Sequence, residues 1–193
     1  MALILASTSP ARQAILQKLN IPFSCQAPNV DETPLENETA QELVRRLAIA
    51  KAQAVKAGPE DFVIGADQVA SHNDAIIGKP LTREKAQKQL NSFSGNAVNF
   101  YTGLALVHGG DLRSTVETCT VKFRNLAPQE IERYLNLEDS LNCAGAIKSE
   151  GLAIHMFTGI FGRDPHALVG LPVIALGELL REFGVNLLDL TAV

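Results

Sequence analysis

Residues 3–16, Leu3-Ile4-Leu5-Ala6-Ser7-Thr8-Ser9-Pro10-Ala11-Arg12-Gln13-Ala14-Ile15-Leu16, decide the fold. The apolar run from Ala2 to Ala6 is too short for a helix and fits a buried strand. Ser7-Thr8-Ser9 is a hydroxyl-rich turn, and Ser9 followed by Pro10 is an N-cap with proline at the first helical position. Ile15, Leu16 and Leu19 then recur at helical spacing. Strand, turn and helix in that order open an α/β protein.

Working outward, Phe23 to Ala27 predicts a second strand, and the acidic, proline-bearing segment from Pro28 to Glu38 a loop. Thr39 and Glu42 have the spacing of a capping box. The helix behind them carries Leu43, Val44, Leu47, Ala50 and Ala54 and should end near Gly58-Pro59. Phe62 to Ala66 reads as a buried strand ending at Asp67-Gln68, with Asn73-Asp74 turning a small hairpin. Leu81 to Phe93 is a helix capped by Thr82. Asn99–Val107 and Thr115–Phe123 are strands joined through Gly109-Gly110-Asp111. Pro128 opens a short helix to Leu135, Gly151–Phe157 is a last strand, Gly159–Pro165 a loop, and Leu171–Phe183 an apolar core helix. Helices and strands alternate early and a hairpin comes late, which predicts a mixed sheet flanked by helices. Repeats, low-complexity tracts and linkers are absent, so residues 1–193 read as one domain.

Composition narrows the function. A net charge of −4 argues against a nucleic-acid polymer as partner, although a small phosphate ligand needs only a local basic cluster. Cys25, Cys119 and Cys143 are odd in number and show no metal spacing, so they read as reduced thiols. The N-terminus lacks a basic region before its apolar run, and no window approaches the roughly 18 apolar residues of a membrane span. A cytoplasmic protein is expected.

Three places carry candidate chemistry. Ser7, Ser9 and Arg12 stand where a helix N-terminus offers N–H groups and partial positive charge to a phosphate; read alone, Ser9 is equally a plain cap and Arg12 a solvated side chain. Asp67 follows a buried strand, where α/β folds place ligands, and a carboxylate there needs a cation or a hydrogen-bonding task. It suits a divalent cation or proton transfer from water, or else closes a turn. Asp31-Glu32, Lys51 and Gly78-Lys79-Pro80 supply oxygen ligands for Mg²⁺ or Mn²⁺ and point charges for phosphate oxygens. Each is individually compatible with ordinary surface charge. His72, His108, His155 and His166 form no HExxH pattern, Gly170-Leu171-Pro172 has no serine for a nucleophile elbow, and Lys79 lies in no P-loop. Lys148 and Glu150, between Gly145 and Gly151, read as a loop beside a site.

The ordered segments LILASTSPAR, NVDETP, LAIAKA, VIGADQV, IIGKPLT, YTGLAL, CAGAIKSEG and GRDPHALVGLPV resemble the Maf family of nucleotide pyrophosphatases, over Leu3 to about Leu187. The resemblance implies an inosine-triphosphate-pyrophosphatase-like fold in two lobes with a central cleft. It implies metal-dependent hydrolysis between the α and β phosphates of a nucleotide, with Mg²⁺, Mn²⁺ or Co²⁺ as cofactor. It makes Asp67 the catalytic residue, Glu32 and Asp67 the metal ligands, and Ser7, Ser9, Arg12, Lys51 and Lys79 the substrate contacts. STSPAR, GADQV, CAGAIKSEG and GRDPHALVGLP are most similar to the 7-methyl-GTP branch, whereas members acting on dTTP and UTP usually carry Gln at the position of Glu150. A carboxylate accepts from the adjacent donors of a guanine edge and favours the positive charge of an N7-methylated base. Gln68 would add a polar contact to the base. Ala11 departs from the bulky residue frequent in that branch. The family is also linked to septum inhibition, which implies a non-catalytic regulator as the alternative class. A homodimer is expected because symmetric dimers are common.

Overall fold

The computed structural model describes residues 2–191. It divides into two compact units, each assembled from separated stretches of chain: Met1–Asp67, Thr102–Glu117 and Asp164–Val193 in the first, Gln68–Tyr101 and Thr118–Arg163 in the second.

In the first unit, β1 (Leu3–Ala6) is flanked by β2 (Ser24–Cys25) and β3 (Phe62–His72), and both neighbours run parallel to it. Leu5 pairs with Ile64 and Ala6 with Gly65. Side chains alternate across a strand, so Leu3, Leu5, Phe62 and Ile64 enter one core while Ile4, Ala6 and Val63 enter another. The first core is closed by Ile15 and Leu16 of α1 (Pro10–Lys18) and by Leu176, Leu179 and Leu180 of α5 (Val173–Glu182). The second is closed by Ala48 and Ala52 of α2 (Ala40–Gln53). Thr39 and Glu42 make the capping box that the sequence predicts for α2, and Ser9 caps α1 with Pro10 in its first turn.

By the same alternation Asp67 shares the face of Val63 and Gly65, the face that α2 covers. The helix comes very close there. A Cβ built on Gly65 would lie 2.1 Å from the Ala48 carbonyl oxygen and 2.7 Å from the Ala52 nitrogen. On β5 (Ala97–His108), a Cβ on Gly103 would lie 2.1 Å from the Val44 carbonyl oxygen. Two glycines thus let the α2 backbone rest directly on the strands.

In the second unit, β3 continues to His72 and turns through Asn73 and Asp74, both at positive φ (50° and 61°), into the antiparallel β4 (Ala75–Ile77). The helix α3 (Arg83–Phe93), capped by Thr82, packs beside α4 (Pro128–Leu137). Here β6 (Asp111–Phe123) pairs antiparallel with β7 (Phe157–Phe161). The expected mixed α/β sheet with flanking helices is therefore present.

Several expected boundaries differ: α2 ends at Gln53 and not near Gly58-Pro59, and β6 begins at Asp111 and not at Thr115. The strand predicted to stop at Asp67-Gln68 runs on to His72, so Asp67 lies within β3; two polar residues interrupt the apolar run, but Val69 and Ala70 behind them are buried. The segment predicted as a strand over Gly151–Phe157 holds a 3₁₀ helix, Leu152–Met156, and the strand occupies Phe157–Phe161, where a loop was expected. Ala153 and Met156 are buried there while Leu152 and Ile154 are exposed, a three-residue period that suits a 3₁₀ turn. The second strand shrinks to Ser24–Cys25.

Replacing Gly65 or Gly103 by alanine forces α2 off the strands and should lower unfolding free energy by about 1–3 kcal/mol. Gly78→Ala, with nothing within 4 Å of the new Cβ, should stay within about 0.5 kcal/mol of the parent. Urea unfolding of the three variants checks this; equal stabilities would show that α2 does not rest on the two glycines.

Candidate active site

The first unit gathers most of the predicted site residues around one buried ion pair. Lys51, in the last turn of α2, is 6% exposed and Asp67 is 7% exposed. The Lys51 Nζ donates to Asp67 Oδ1 at 2.7 Å and stands 2.5 Å from Glu32 Oε1. A solvated lysine on an outward helix face is thereby ruled out. Lys51 points into the interior because α2 rests on β3, and it meets Asp67 because strand alternation turns that side chain toward the helix.

Burial pushes the Asp67 carboxyl above the ordinary carboxylate range, Lys51 and Arg12 pull it back, and Glu32 raises it further. Burial also draws the Arg12 guanidinium below its usual value, against the attraction of Asp67 and Glu32. Its intrinsic pKa is so high that it stays cationic. Two cations and two carboxylates, with Glu32 half exposed at the edge, therefore nearly balance, which is what makes burial of Lys51 and Asp67 tolerable.

The strand-to-helix turn holds Arg12. Its Nε donates to the Gly170 carbonyl at 2.8 Å and its Nη1 to Ser7 Oγ at 3.3 Å. Ser7 is buried, and its Oγ also accepts from the Ser9 amide at 3.1 Å. Ser9 Oγ accepts from the Arg12 amide at 3.5 Å, so the capping role is present as well. Ala11 is half-buried in the first turn of α1.

The remaining predicted residues belong to the second unit. Gln68 is its first residue, Lys79 lies between β4 and α3, and Glu150 is exposed in a turn before the 3₁₀ helix. Lys79 and Glu150 share an electrostatic neighbour, the half-buried Cys143, whose thiol is pushed up first by burial and then by Glu150. Lys148 is committed to Glu138 at 2.7 Å. Asp31 serves its own loop, accepting from the Thr33 amide at 2.9 Å.

Two supports were not singled out by the sequence. Asp164, 2% exposed, accepts from the His166 amide at 2.8 Å and from the Ile174 amide at 2.6 Å, so it caps α5 and shapes the segment that ends at Gly170. Gly170 itself has φ of 114°, and a Cβ there would meet Arg12 Nε at 3.4 Å. The Asp-Pro pair at 164–165 was visible as a turn signal, but not its link to Arg12. Arg46 is the other: it binds Glu38 and the Thr33 carbonyl in the loop that carries Glu32. Among the described residues, no three His, Cys, Asp or Glu side chains gather at one point, and no helix is long and apolar enough to cross a membrane.

The chain is similar to several known proteins. The chain is 49% identical over 191 residues to the 7-methyl-GTP pyrophosphatase of Pseudoalteromonas atlantica, covering 98% of each chain. Solved structures similar to it include a HAM1 protein from Coxiella burnetii, at 17% identity and a TM-score of 0.43, covering 64% of this chain and 73% of that one. Another is a nucleoside-triphosphatase / dITP/XTP pyrophosphatase from Mycobacterium abscessus, at 12% identity and a TM-score of 0.42, covering 95% and 97%. The family model described as Maf-like protein matches residues 2–183, and the chain belongs to that family.

Proposed function

We propose that this protein hydrolyses 7-methyl-GTP between the α and β phosphates, releasing 7-methyl-GMP and pyrophosphate. The observation that carries the reaction type is the buried Asp67 carboxylate held against the Lys51 ammonium beside Arg12. The choice of nucleotide is supported by the name of the 49% identical relative.

Asp67 takes the proton of the attacking water as the water oxygen bonds to the α-phosphorus and the bond from that phosphorus to the α–β bridging oxygen breaks. Its raised pKa suits proton acceptance better than an ordinary carboxylate would. Lys51 keeps the carboxylate ionised in spite of its burial. Arg12, oriented by Gly170 and Ser7, offers a planar fork to phosphate oxygens. Ser9 and the start of α1 add a partial positive charge. Lys79 is assigned to the triphosphate, and Gln68 and Glu150 to the base.

The donor chemistry fits a divalent cation. Glu32 and Asp67 bring carboxylate oxygens to one point of positive charge, now the Lys51 ammonium. Mg²⁺ and Mn²⁺ are typically held by one or two carboxylates together with substrate phosphates. Glu32 and Asp67 would hold Mg²⁺, Mn²⁺ or Co²⁺, which when bound neutralises phosphate charge.

Asp67→Asn should abolish pyrophosphate release from 7-methyl-GTP while the chain stays folded; normal turnover would remove Asp67 from the chemistry. Turnover should also fall as pH drops and the Asp67 carboxylate protonates, because only the ionised form can take a proton from water. The stability sign is opposite. A carboxyl whose folded pKa lies above its unfolded value costs stability as pH rises through the folded value. The thermal midpoint of Asp67→Asn should therefore gain on the parent between pH of about 4 and neutrality; a constant or shrinking difference would contradict the raised pKa.

Glu150→Gln should weaken 7-methyl-GTP hydrolysis more than UTP hydrolysis, by roughly 1.5–3 kcal/mol in kcat/KM for loss of a charged hydrogen bond. A substrate panel read by pyrophosphate release checks it, and equal losses on both nucleotides would exclude Glu150 from base selection.

A further inference from the structure

We infer that Arg46 is a positioning residue whose guanidinium ties the acidic loop to α2 and sets where Glu32 places its carboxylate. The inference rests on the reading of Glu32 as a metal ligand. Residues 26–38 contain neither helix nor strand, and the Glu32 side chain is 50% exposed. Such a side chain on such a loop has many conformations to lose. Its carboxylate is nevertheless at Lys51 Nζ, so something else must order the loop.

The Arg46 guanidinium does so with three bonds. Its Nε donates to Glu38 Oε1 at 2.6 Å, and its Nη2 donates to Glu38 Oε2 at 2.8 Å and to the Thr33 carbonyl at 3.1 Å. One planar group thus gathers the residue after Glu32 and the residue before the Thr39 cap. The Glu38 carboxylate is 7% exposed, and its Oε2 also accepts from the Leu35 amide at 3.0 Å. Arg46 precedes Lys51 on the same helix, so α2 both fixes the loop and receives its carboxylate. A lysine has no planar fork and does not reproduce these contacts.

Charge and position predict opposite signs, which makes the inference testable. Removing a cation near the carboxylates should tighten binding of a divalent ion if only Coulomb forces matter. If Arg46 acts by placing Glu32, its removal should weaken binding, as loss of a group orienting a metal ligand commonly does by about 10–100-fold. The experiment is Mn²⁺ titration of the full chain, with free Mn²⁺ followed by electron paramagnetic resonance, on the parent, Arg46→Met, Arg46→Lys, Glu38→Gln and Glu32→Gln. Amide exchange at Leu35 is measured alongside, and circular dichroism confirms the fold. The expected result is weaker Mn²⁺ binding, by about tenfold or more, in both Arg46 variants and in Glu38→Gln, each with faster exchange at Leu35. Glu32→Gln should bind weakly with Leu35 exchange unchanged. Parent-like or tighter binding in Arg46→Met beside a weak Glu32→Gln would overturn the role of Arg46 and leave Glu32 a ligand. Parent-like binding in Glu32→Gln would overturn the ligand reading itself, and this inference with it.

Discussion

The contact between the Lys51 ammonium and the Asp67 carboxylate is the constraint on which the rest depends. Neither charge would persist alone at 6% and 7% exposure, because an unpaired buried ion costs several kcal/mol. Together, with Arg12 and Glu32 close enough to add to the balance, they form a polar centre inside an apolar unit. A pair bought only for stability is a poor investment, since apolar residues of similar volume often do as well. Its retention in the interior, with a carboxyl pushed above its ordinary range, is the pattern expected where a proton is to be moved.

The pair makes demands on the backbone around it. Strand alternation must send Asp67 to the α2 face, and α2 must sit close enough for a lysine to reach inward. Gly65, two residues before Asp67, meets the second demand by leaving room for the Ala48 carbonyl. Gly103 does the same for the Val44 carbonyl. Arg12 is braced in an analogous way by the Gly170 carbonyl, on a segment whose shape is fixed by the buried Asp164. Short-side-chain positions and backbone carbonyls thus hold the charged groups, and the charged groups carry the chemistry assigned to them.

What the sequence made legible was local. The strand, turn and helix over residues 3–16 and the Thr39–Glu42 capping box depend on neighbours a few residues apart, and both stand as expected. The end of β3 was misplaced because Asp67 and Gln68 break an apolar run, although the strand continues beyond them to His72. The last strand was misplaced because exposed Leu152 and Ile154 imitate a buried alternation. Arg12, Glu32 and Lys51 each also allow an ordinary surface reading from sequence, and Asp67 a turn-closing one, and burial and distance decide between them. The Gly170 carbonyl on Arg12 joins residues 158 apart in the chain, and the Arg46–Glu38 clamp joins a helix to an irregular loop. Neither leaves a periodic signal.

The protonation of Asp67 itself is the most direct test. Titration of its side-chain carboxyl carbon by nuclear magnetic resonance, in the parent and in Lys51→Met, reads the pair without reference to any substrate. The account predicts a pKa above the ordinary aspartate value in the parent and a higher one still when the ammonium is removed. An ordinary aspartate titration in the parent, or a value unmoved by loss of Lys51, would contradict it.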